Sequence, residues 1–420
     1  MSETSFDGKA SVITCDMNGI VQEYAADAAE LFGWSQEEAI GKMSVAAFHL
    51  PKNVPTLVPR LLKEAIEKGK FEEEVVLQRK DGSTFRAVLT VRPMIEDGRQ
   101  VGFMGMTHPL EAPGKVPVAR LWFQALRAPF LTASLVPILI GGLAAWQVRG
   151  LFDPARFLLA LVGGASIHLG ANVLNDAWDF RSGNDLAVRH LNPFAGGGRV
   201  LIRGVLGLRA HLALGMGLLV LGSLIGLYFV ALVGWPILAL GVVGVFLSYG
   251  YVGPPFRIAY HGLGELAVGV NFGPVALLGT YFVLTEAFDP AAVLLGVSLG
   301  LFVAGILWIN EVPDIPADSA VGKRTLVVRL GVAKATTAFA GIVVAGYAVL
   351  VVGVALSILT PWVLLALLAL PMALKPVRGL RASQGDPHAL IPSNAGMILT
   401  TLVTGVLVLV GLALASFRLF

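Results

Sequence analysis

The chain has 420 residues, of which 55% are apolar, with a mean hydropathy of +0.75 and a formal net charge of +3. Residues 1–110 carry 12 basic and 16 acidic side chains, whereas the much longer 111–420 carries 19 and 12. This excludes a wholly soluble enzyme, a disordered chain and a disulfide-rich secreted domain, and predicts a small soluble domain fused to a polytopic membrane protein. The basic residues sit beside apolar segments, so no nucleic-acid partner is expected. One cysteine, Cys15, excludes an internal disulfide and a cysteine-held metal cluster. Met1–Ala10 is polar and lacks an apolar core, so no signal peptide is expected there.

Ser11–Cys15 and Ile20–Tyr24 read as short strands around the turn Asp16-Met17-Asn18-Gly19. Ala25–Leu31 reads as a helix, and Ser35 with Glu38 forms a capping-box signal for a second. Glu72–Gln78 and Thr84–Val91 flank the turn Lys80-Asp81-Gly82-Ser83 and predict a hairpin, with a further strand over Gln100–Met106. The Asp-x-x-Gly turn, Leu31-Phe32-Gly33-Trp34-Ser35 and Arg79-Lys80-Asp81-Gly82-Ser83 together resemble a PAS domain over about residues 8–108. Cys15 lies in the first strand, not in the Asn-Cys-Arg context of the flavin-binding subclass. His49, in Phe48-His49-Leu50-Pro51, reads as a surface or loop histidine in preference to a haem ligand. The domain, taken as 1–110, is either a docking or dimerisation module, giving a homodimer, or a small-molecule sensor.

Pro109, Pro113, Gly114 and Pro117 mark a linker, taken as 111–120, before a membrane domain taken as 121–420. Nine apolar segments follow: Leu126–Val148, Arg156–Asn175, Ala210–Val233, Trp235–Gly250, Leu263–Leu284, Ala291–Asn310, Ala335–Leu359, Pro361–Leu374 and Ala395–Phe417. With the soluble domain in the cytoplasm and the segments alternating, 16 of the 19 basic residues after position 110 fall on the cytoplasmic side. Only Arg149, Arg156 and Arg418 fall outside. The expected location is the cell inner (plasma) membrane, crossed several times, with the PAS-like domain in the cytoplasm.

Six of the 12 acidic residues after position 110 lie in two short stretches at the cytoplasmic ends of the second and sixth segments. In the first, Asn172, Asn175, Asp176 and Asp179 recur at three- and four-residue spacing and so share a helical face, with Asp185 following. In the second, Asn310, Asp314 and Asp318 recur every four residues and share a face if the helix survives Pro313 and Pro316. Carboxylates at a membrane boundary are costly and by default functional. Two oxygen-rich faces without His or Cys suit a hard cation such as Mg²⁺, which binds a few carboxylates together with substrate phosphates. Arg199 follows the first stretch, and Lys323 and Arg324 follow the second, as counter-charges for a diphosphate. Tyr251 and Arg257 lie on the same membrane side in a Gly- and Pro-rich connection ending at Glu265.

These residues resemble the UbiA superfamily of intramembrane prenyltransferases over about 120–418. The family carries an Asn-Asp-x-x-Asp motif, a second Asp-x-x-x-Asp motif and nine helices. The forms here, Asn175-Asp176 to Asp185, Tyr251 to Glu265, and Asn310 to Thr325, resemble the branch that prenylates 1,4-dihydroxy-2-naphthoate in menaquinone synthesis. Asp179 and Asp185 are six apart, where the ubiquinone-pathway branch has four, which disfavours a 4-hydroxybenzoate acceptor. The implied fold is an α+β PAS domain followed by an all-α membrane domain of nine transmembrane helices. The implied reaction is Mg²⁺-dependent transfer from a polyprenyl diphosphate to an aromatic acceptor within the lipid bilayer. Asp176, Asp179, Asp314 and Asp318 are the implied catalytic residues, and Asn175 and Asn310 join them around the metal. Asn172, Asp185, Arg199, Tyr251, Arg257, Lys323 and Arg324 are the implied substrate contacts. Acceptors such as homogentisate, a tetrapyrrole or a glycerophosphate, and a PAS-coupled transporter, are the alternatives.

Overall fold

A computed structural model describes residues 11–96, 99–110, 126–184, 194, 201 and 207–417. The expected linker, Asp185 and Arg199 lie outside the described residues. Two compact units are present.

The first unit is a five-stranded antiparallel sheet in the order β2-β1-β5-β4-β3. The strands are β1 (Ser11–Asp16), β2 (Val21–Tyr24), β3 (Phe71–Gln78), β4 (Thr84–Glu96) and β5 (Arg99–Pro109). The Asp16 turn forms as its sequence dictates: Asp16 Oδ1 accepts from the amides of Asn18 at 2.8 Å and Ile20 at 2.9 Å. Helix α1 (Ala26–Phe32) is followed by α2 (Gln36–Ala39), whose Ser35–Glu38 capping box is complete. Helix α3 (Val54–Lys68) has no counterpart in the sequence reading, since Pro55 and Pro59 look like breakers. Pro55 sits in its first turn, where no amide hydrogen bond is lost. Alternation along the strands delivers Leu77, Phe85 and Phe103 to a core completed by Phe32, Phe48 and Leu61.

His49 is a loop residue, as expected, but a buried one, 8% exposed. It lines a cavity of about 60 Å³ with Phe32, Phe48, Leu61, Leu77 and Phe103. Burial pushes its pKa down to about 4, so the imidazole is neutral at physiological pH. Burial likewise pushes the Cys15 thiol up to about 11.

The second unit is helical: α4 (Thr132–Arg149), α5 (Pro154–Ser182), α6 (Leu208–Val233), α7 (Trp235–Gly250), α8 (Gly264–Val270), α9 (Ala276–Thr285), α10 (Pro290–Glu311), α11 (Ile315–Ala320), α12 (Leu326–Ala355), α13 (Leu370–Ser383) and α14 (Ile391–Ser416). A π-helical stretch, Asn271–Val275, joins α8 to α9, and a 3₁₀ stretch, Pro361–Ala369, leads into α13. Each of the nine predicted segments contains a helix. Among the described residues, however, seven spans are long and apolar enough to cross a membrane: α5, α6, Gly264–Thr285, α10, α12, Pro361–Ser383 and α14. Helix α7 has 16 residues and falls short, and the 18-residue α4 is not among the seven. The chain is a multi-pass membrane protein, and the expected count of nine exceeds what length and composition alone support.

Small residues set the helix contacts where no hydrophobic driving force separates protein from lipid. A Cβ on Gly222 of α6 would lie 2.9 Å from the Gly163 carbonyl oxygen of α5, so these backbones approach closely. Helix α10 is the most buried span, with 72% of its apolar window inside the fold. It packs against α4, α12 and α14, with Leu295 in one apolar cluster alongside Ile140 and Val408, and Phe302 and Trp308 in another alongside Phe339 and Met397. The Trp308 indole donates to the Ala335 carbonyl at 2.9 Å. The second carboxylate stretch thus begins at the end of the best-anchored helix.

Candidate functional site

Helix α5 continues unbroken past its apolar part to Ser182, so Asn172, Asn175, Asp176 and Asp179 do lie on one helix. Asp176 and Asp179 are buried, at 2% and 5% exposure. Asn175 Nδ2 donates to Asp179 Oδ2 at 3.2 Å, the contact that i,i+4 spacing provides. Asp176 Oδ1 lies 3.3 Å from Arg127 Nε. Arg127 holds a left-handed φ of 50° just before α4. Asn172 is half-buried.

The second stretch does not share one helical face. Helix α10 ends at Glu311, and α11 starts at Ile315 with Asp314 as its N-cap residue. Pro313 and Pro316 account for the break, because neither can donate a helical hydrogen bond. The break separates Asn310, on α10, from Asp318, which is buried on α11. Asp314 is half-buried, and its carbonyl accepts from the Asp318 amide at 2.8 Å. The Asn310 amide oxygen accepts from Asn394 Nδ2 at 2.7 Å, and Asn394 also donates to the Ile309 carbonyl at 3.0 Å.

Lys323 joins the two stretches. Its Nζ lies 3.4 Å from Asp318 Oδ1 and 3.7 Å from Asp179 Oδ2, and the side chain is 8% exposed. Burial works against its charge, but Asp179 and Asp318 outweigh it and hold its pKa well above the ordinary lysine value. Near it, the Tyr251 hydroxyl lies 3.4 Å from Glu311 Oε1, a long hydrogen bond. Glu265 is a helix cap, since its Oε1 accepts the Leu326 and Val327 amides at the start of α12, at 2.7 and 3.3 Å. The two other expected basic contacts are exposed. Arg257 is exposed, its guanidinium 5.5 Å from the Tyr260 ring centre, and Arg324 is exposed with its backbone amide on the Tyr260 carbonyl.

The site therefore gathers the carboxylates of Asp176, Asp179 and Asp318 with the cations of Arg127 and Lys323. Asn175 Oδ1, Asp179 Oδ1 and Glu311 Oε2 are buried oxygens without a hydrogen-bond partner among the described residues. Among the described residues no three His, Cys, Asp or Glu side chains could hold a metal ion by themselves. The donors nevertheless fit Mg²⁺, which takes oxygen ligands and draws the rest of its shell from water and phosphate.

Arg127 and Asn394 were not predicted as site residues. Arg127 reads as one more basic residue at a membrane boundary. Asn394 carried a usable signal, because an amide inside an apolar span needs a buried partner.

Comparison with known proteins gives two family matches. The UbiA prenyltransferase family model matches residues 134–390 and the PAS fold model matches residues 9–110. The chain is 29% identical over 309 residues to the 1,4-dihydroxy-2-naphthoate octaprenyltransferase of Bacillus subtilis, covering 73% of this chain and 96% of that one. It is 33% identical over 273 residues to the protein of that name from Mycobacterium tuberculosis, covering 64% and 89%. It is 30% identical over 281 residues to the 2-carboxy-1,4-naphthoquinone phytyltransferase of Synechocystis, covering 66% and 88%.

Proposed function

This chain belongs to the UbiA prenyltransferase family, with a PAS domain before the enzyme, and on that footing we propose that it transfers a polyprenyl group from a prenyl diphosphate to 1,4-dihydroxy-2-naphthoate. The names of the relatives above support that acceptor. One observation carries the site: Lys323 lies within ion-pair distance of both Asp179 and Asp318, so the two carboxylate stretches act on one substrate.

Asp176, Asp179, Asp314 and Asp318, with Asn175 and Asn310 beside them, would hold Mg²⁺. Bound there, Mg²⁺ would supply Lewis-acid neutralisation of the diphosphate leaving group. Lys323 and Arg127 add positive charge that turns toward phosphate oxygens when the diphosphate enters. The allylic C–O bond breaks, and diphosphate leaves with the electron pair. The electron-rich ring carbon that bears the carboxylate forms the new C–C bond, and its bond to the carboxylate then breaks, the electron pair returning to the ring as carbon dioxide leaves. The burial of Asp176, Asp179, Asp318 and Lys323 keeps water from the cationic prenyl group. The 16-to-3 distribution of basic residues supports a cytoplasmic site and a cytoplasmic PAS domain in a bacterial inner membrane. The PAS domain regulates the enzyme or pairs two copies of it.

The test is product analysis. Purified protein in lipid receives geranylgeranyl diphosphate, Mg²⁺ and, separately, 1,4-dihydroxy-2-naphthoate, 4-hydroxybenzoate, homogentisate or glycerol phosphate. A decarboxylated, prenylated naphthalenediol is expected. A prenylated product from another acceptor, with none from the naphthoate, refutes the assignment.

A further inference from the structure

Lys323 stands on no helix: it lies in the connection between α11 (Ile315–Ala320) and α12 (Leu326–Ala355). Its own amide donates to the Asp318 carbonyl at 2.8 Å, which sets it against α11 and accounts for its contact with Asp318. The contact with Asp179, on α5, has no such local origin. The connection turns at a left-handed glycine, Gly322 at φ 75°, a residue that permits many paths. Its course toward α5 therefore needs an anchor outside α11.

The chain around the start of α8 supplies that anchor. The Arg324 amide donates to the Tyr260 carbonyl at 3.3 Å. Arg329 donates through Nε to the Arg324 carbonyl at 3.0 Å and through Nη2 to the His261 carbonyl at 2.8 Å. A Cβ on Gly262 would lie 2.9 Å from Arg329 Nε and 3.2 Å from the Arg324 carbonyl oxygen, so the two connections approach closely. Glu265 of α8 closes the set: its Oε1 accepts the Leu326 and Val327 amides at 2.7 and 3.3 Å, across 61 and 62 residues of chain.

Capping alone does not account for Glu265. Helix α12 already has a local cap, since Thr325 Oγ1 accepts the Val328 amide at 3.2 Å. Water can satisfy the other first-turn amides of a helix without burying a charge. Glu265 is instead 2% exposed, and its Oε2 is a buried oxygen without a hydrogen-bond partner among the described residues. A buried carboxylate with an oxygen left unpaired is costly. What it secures is position: with Thr325 it fixes the amides of Leu326, Val327 and Val328, immediately after Lys323 and Arg324.

We propose that Glu265 is a positioning residue for prenyl transfer, holding the start of α12 so that the Lys323 ammonium reaches Asp179 as well as Asp318. Glu265 acts through Lys323. The proposal rests on the prenyl-transfer reading above. Its test is equilibrium binding of a non-reactive thio analogue of geranylgeranyl diphosphate with Mg²⁺, by titration calorimetry on the full chain in lipid. Glu265→Leu should weaken binding about tenfold or more, because two charge-assisted hydrogen bonds that hold the Lys323 connection are lost. Glu265→Gln should stay within about threefold of wild type, because the amide oxygen accepts the same two N–H groups and the amide nitrogen takes the place of the unpartnered oxygen. In the Lys323→Met background Glu265→Leu should weaken binding by less than about twofold further, because the ammonium it positions is gone. General damage to the fold would multiply with Lys323→Met and would not be rescued by glutamine. Full multiplication in the cycle, equal losses in Glu265→Gln and Glu265→Leu, or wild-type affinity in Glu265→Leu overturns the proposal. If Glu265→Leu fails to insert, Glu265→Asp, whose carboxylate is one carbon shorter, should show the same dependence on Lys323 by a smaller factor, and independence overturns the proposal. Transfer to 1,4-dihydroxy-2-naphthoate by the wild type tests the prenyl-transfer reading separately, and a wild type that neither binds the analogue nor transfers overturns both.

Discussion

Lys323→Met removes the one cation that, among the described residues, lies within ion-pair distance of carboxylates from both stretches. In the wild type, the Lys323 ammonium lies 3.4 Å from Asp318 and 3.7 Å from Asp179, all three buried. Removing one partner of a buried ion pair costs about 3–5 kcal/mol, because the remaining charge is left uncompensated. That cost falls on stability; on the substrate, the loss of a charge-assisted contact worth about 1.5–3 kcal/mol corresponds to about a tenfold to hundredfold loss in affinity. We expect kcat/KM for the prenyl diphosphate to fall about tenfold to hundredfold, measured as initial transfer rates at saturating acceptor. Lys323→Arg should retain part of the activity, since the charge survives but the planar guanidinium does not reproduce an ammonium placed between two carboxylates. A double-mutant cycle with Asp318→Asn separates this from general damage. Residues in direct contact should show a coupling of about 1 kcal/mol or more, so Lys323→Met should do less harm in the Asp318→Asn background. Activity of Lys323→Met within about threefold of wild type, or strict additivity in the cycle, refutes the view that Lys323 unites the two stretches.

Other expectations follow from the same geometry and from the PAS unit. His49 is neutral when folded and protonates near pH 6.5 when unfolded, so the unfolded state binds more protons between about pH 4 and 6.5 and stability falls as pH drops through that window. Between pH 7 and pH 5 the loss is about 2 kcal/mol, read as a drop of about thirtyfold in hydrogen-exchange protection of the β1–β5 amides. His49→Gln should abolish that drop, and an unchanged pH profile in the variant refutes the assignment. An odd number of crossings, the expected nine or the seven long apolar spans among the described residues, would put the C-terminus on the side opposite the PAS domain. A reporter fused after Phe420 should therefore signal from outside the cytoplasm, and a cytoplasmic signal excludes an odd number of crossings. Removing residues 1–110 should leave the chemistry intact while altering its rate or its response to quinone product. Superimposable titrations of the full-length and truncated enzymes, across oxidised and reduced quinone, refute PAS regulation.

The features visible in the sequence are those whose signal is local. Apolar runs of bilayer length located the helices, and the Ser35–Glu38 capping box and the Asp16 and Asp81 turns located the PAS elements, because each depends on neighbours within a few residues. The first carboxylate stretch was legible for the same reason, since one unbroken helix carries Asn172 to Asp179. The second was legible in its residues but not in its shape, because Pro313 and Pro316 end the helix between Asn310 and Asp318. Helix α3 was hidden by Pro55 and Pro59, which local propensity penalises and tertiary packing of Leu61 and Ala65 overrides. Arg127 is not legible because it meets Asp176 across 49 residues of chain, and Asn394 shows only that an amide inside an apolar span needs a buried partner, not that the partner is Asn310, 84 residues away. The burial of His49 is not legible because nothing in Phe48-His49-Leu50-Pro51 reveals that α3 and the sheet close over it.

Equilibrium binding of a non-reactive thio analogue of geranylgeranyl diphosphate isolates the diphosphate site, because it needs no acceptor and no turnover. Titration calorimetry would compare the wild type, Asp176→Asn and Asp314→Asn, each with Mg²⁺ and with chelator. Binding to the wild type should depend on Mg²⁺, and that dependence should be lost in both variants if one diphosphate spans both stretches. Wild-type affinity in either variant, or wild-type binding unchanged by chelator, would contradict it.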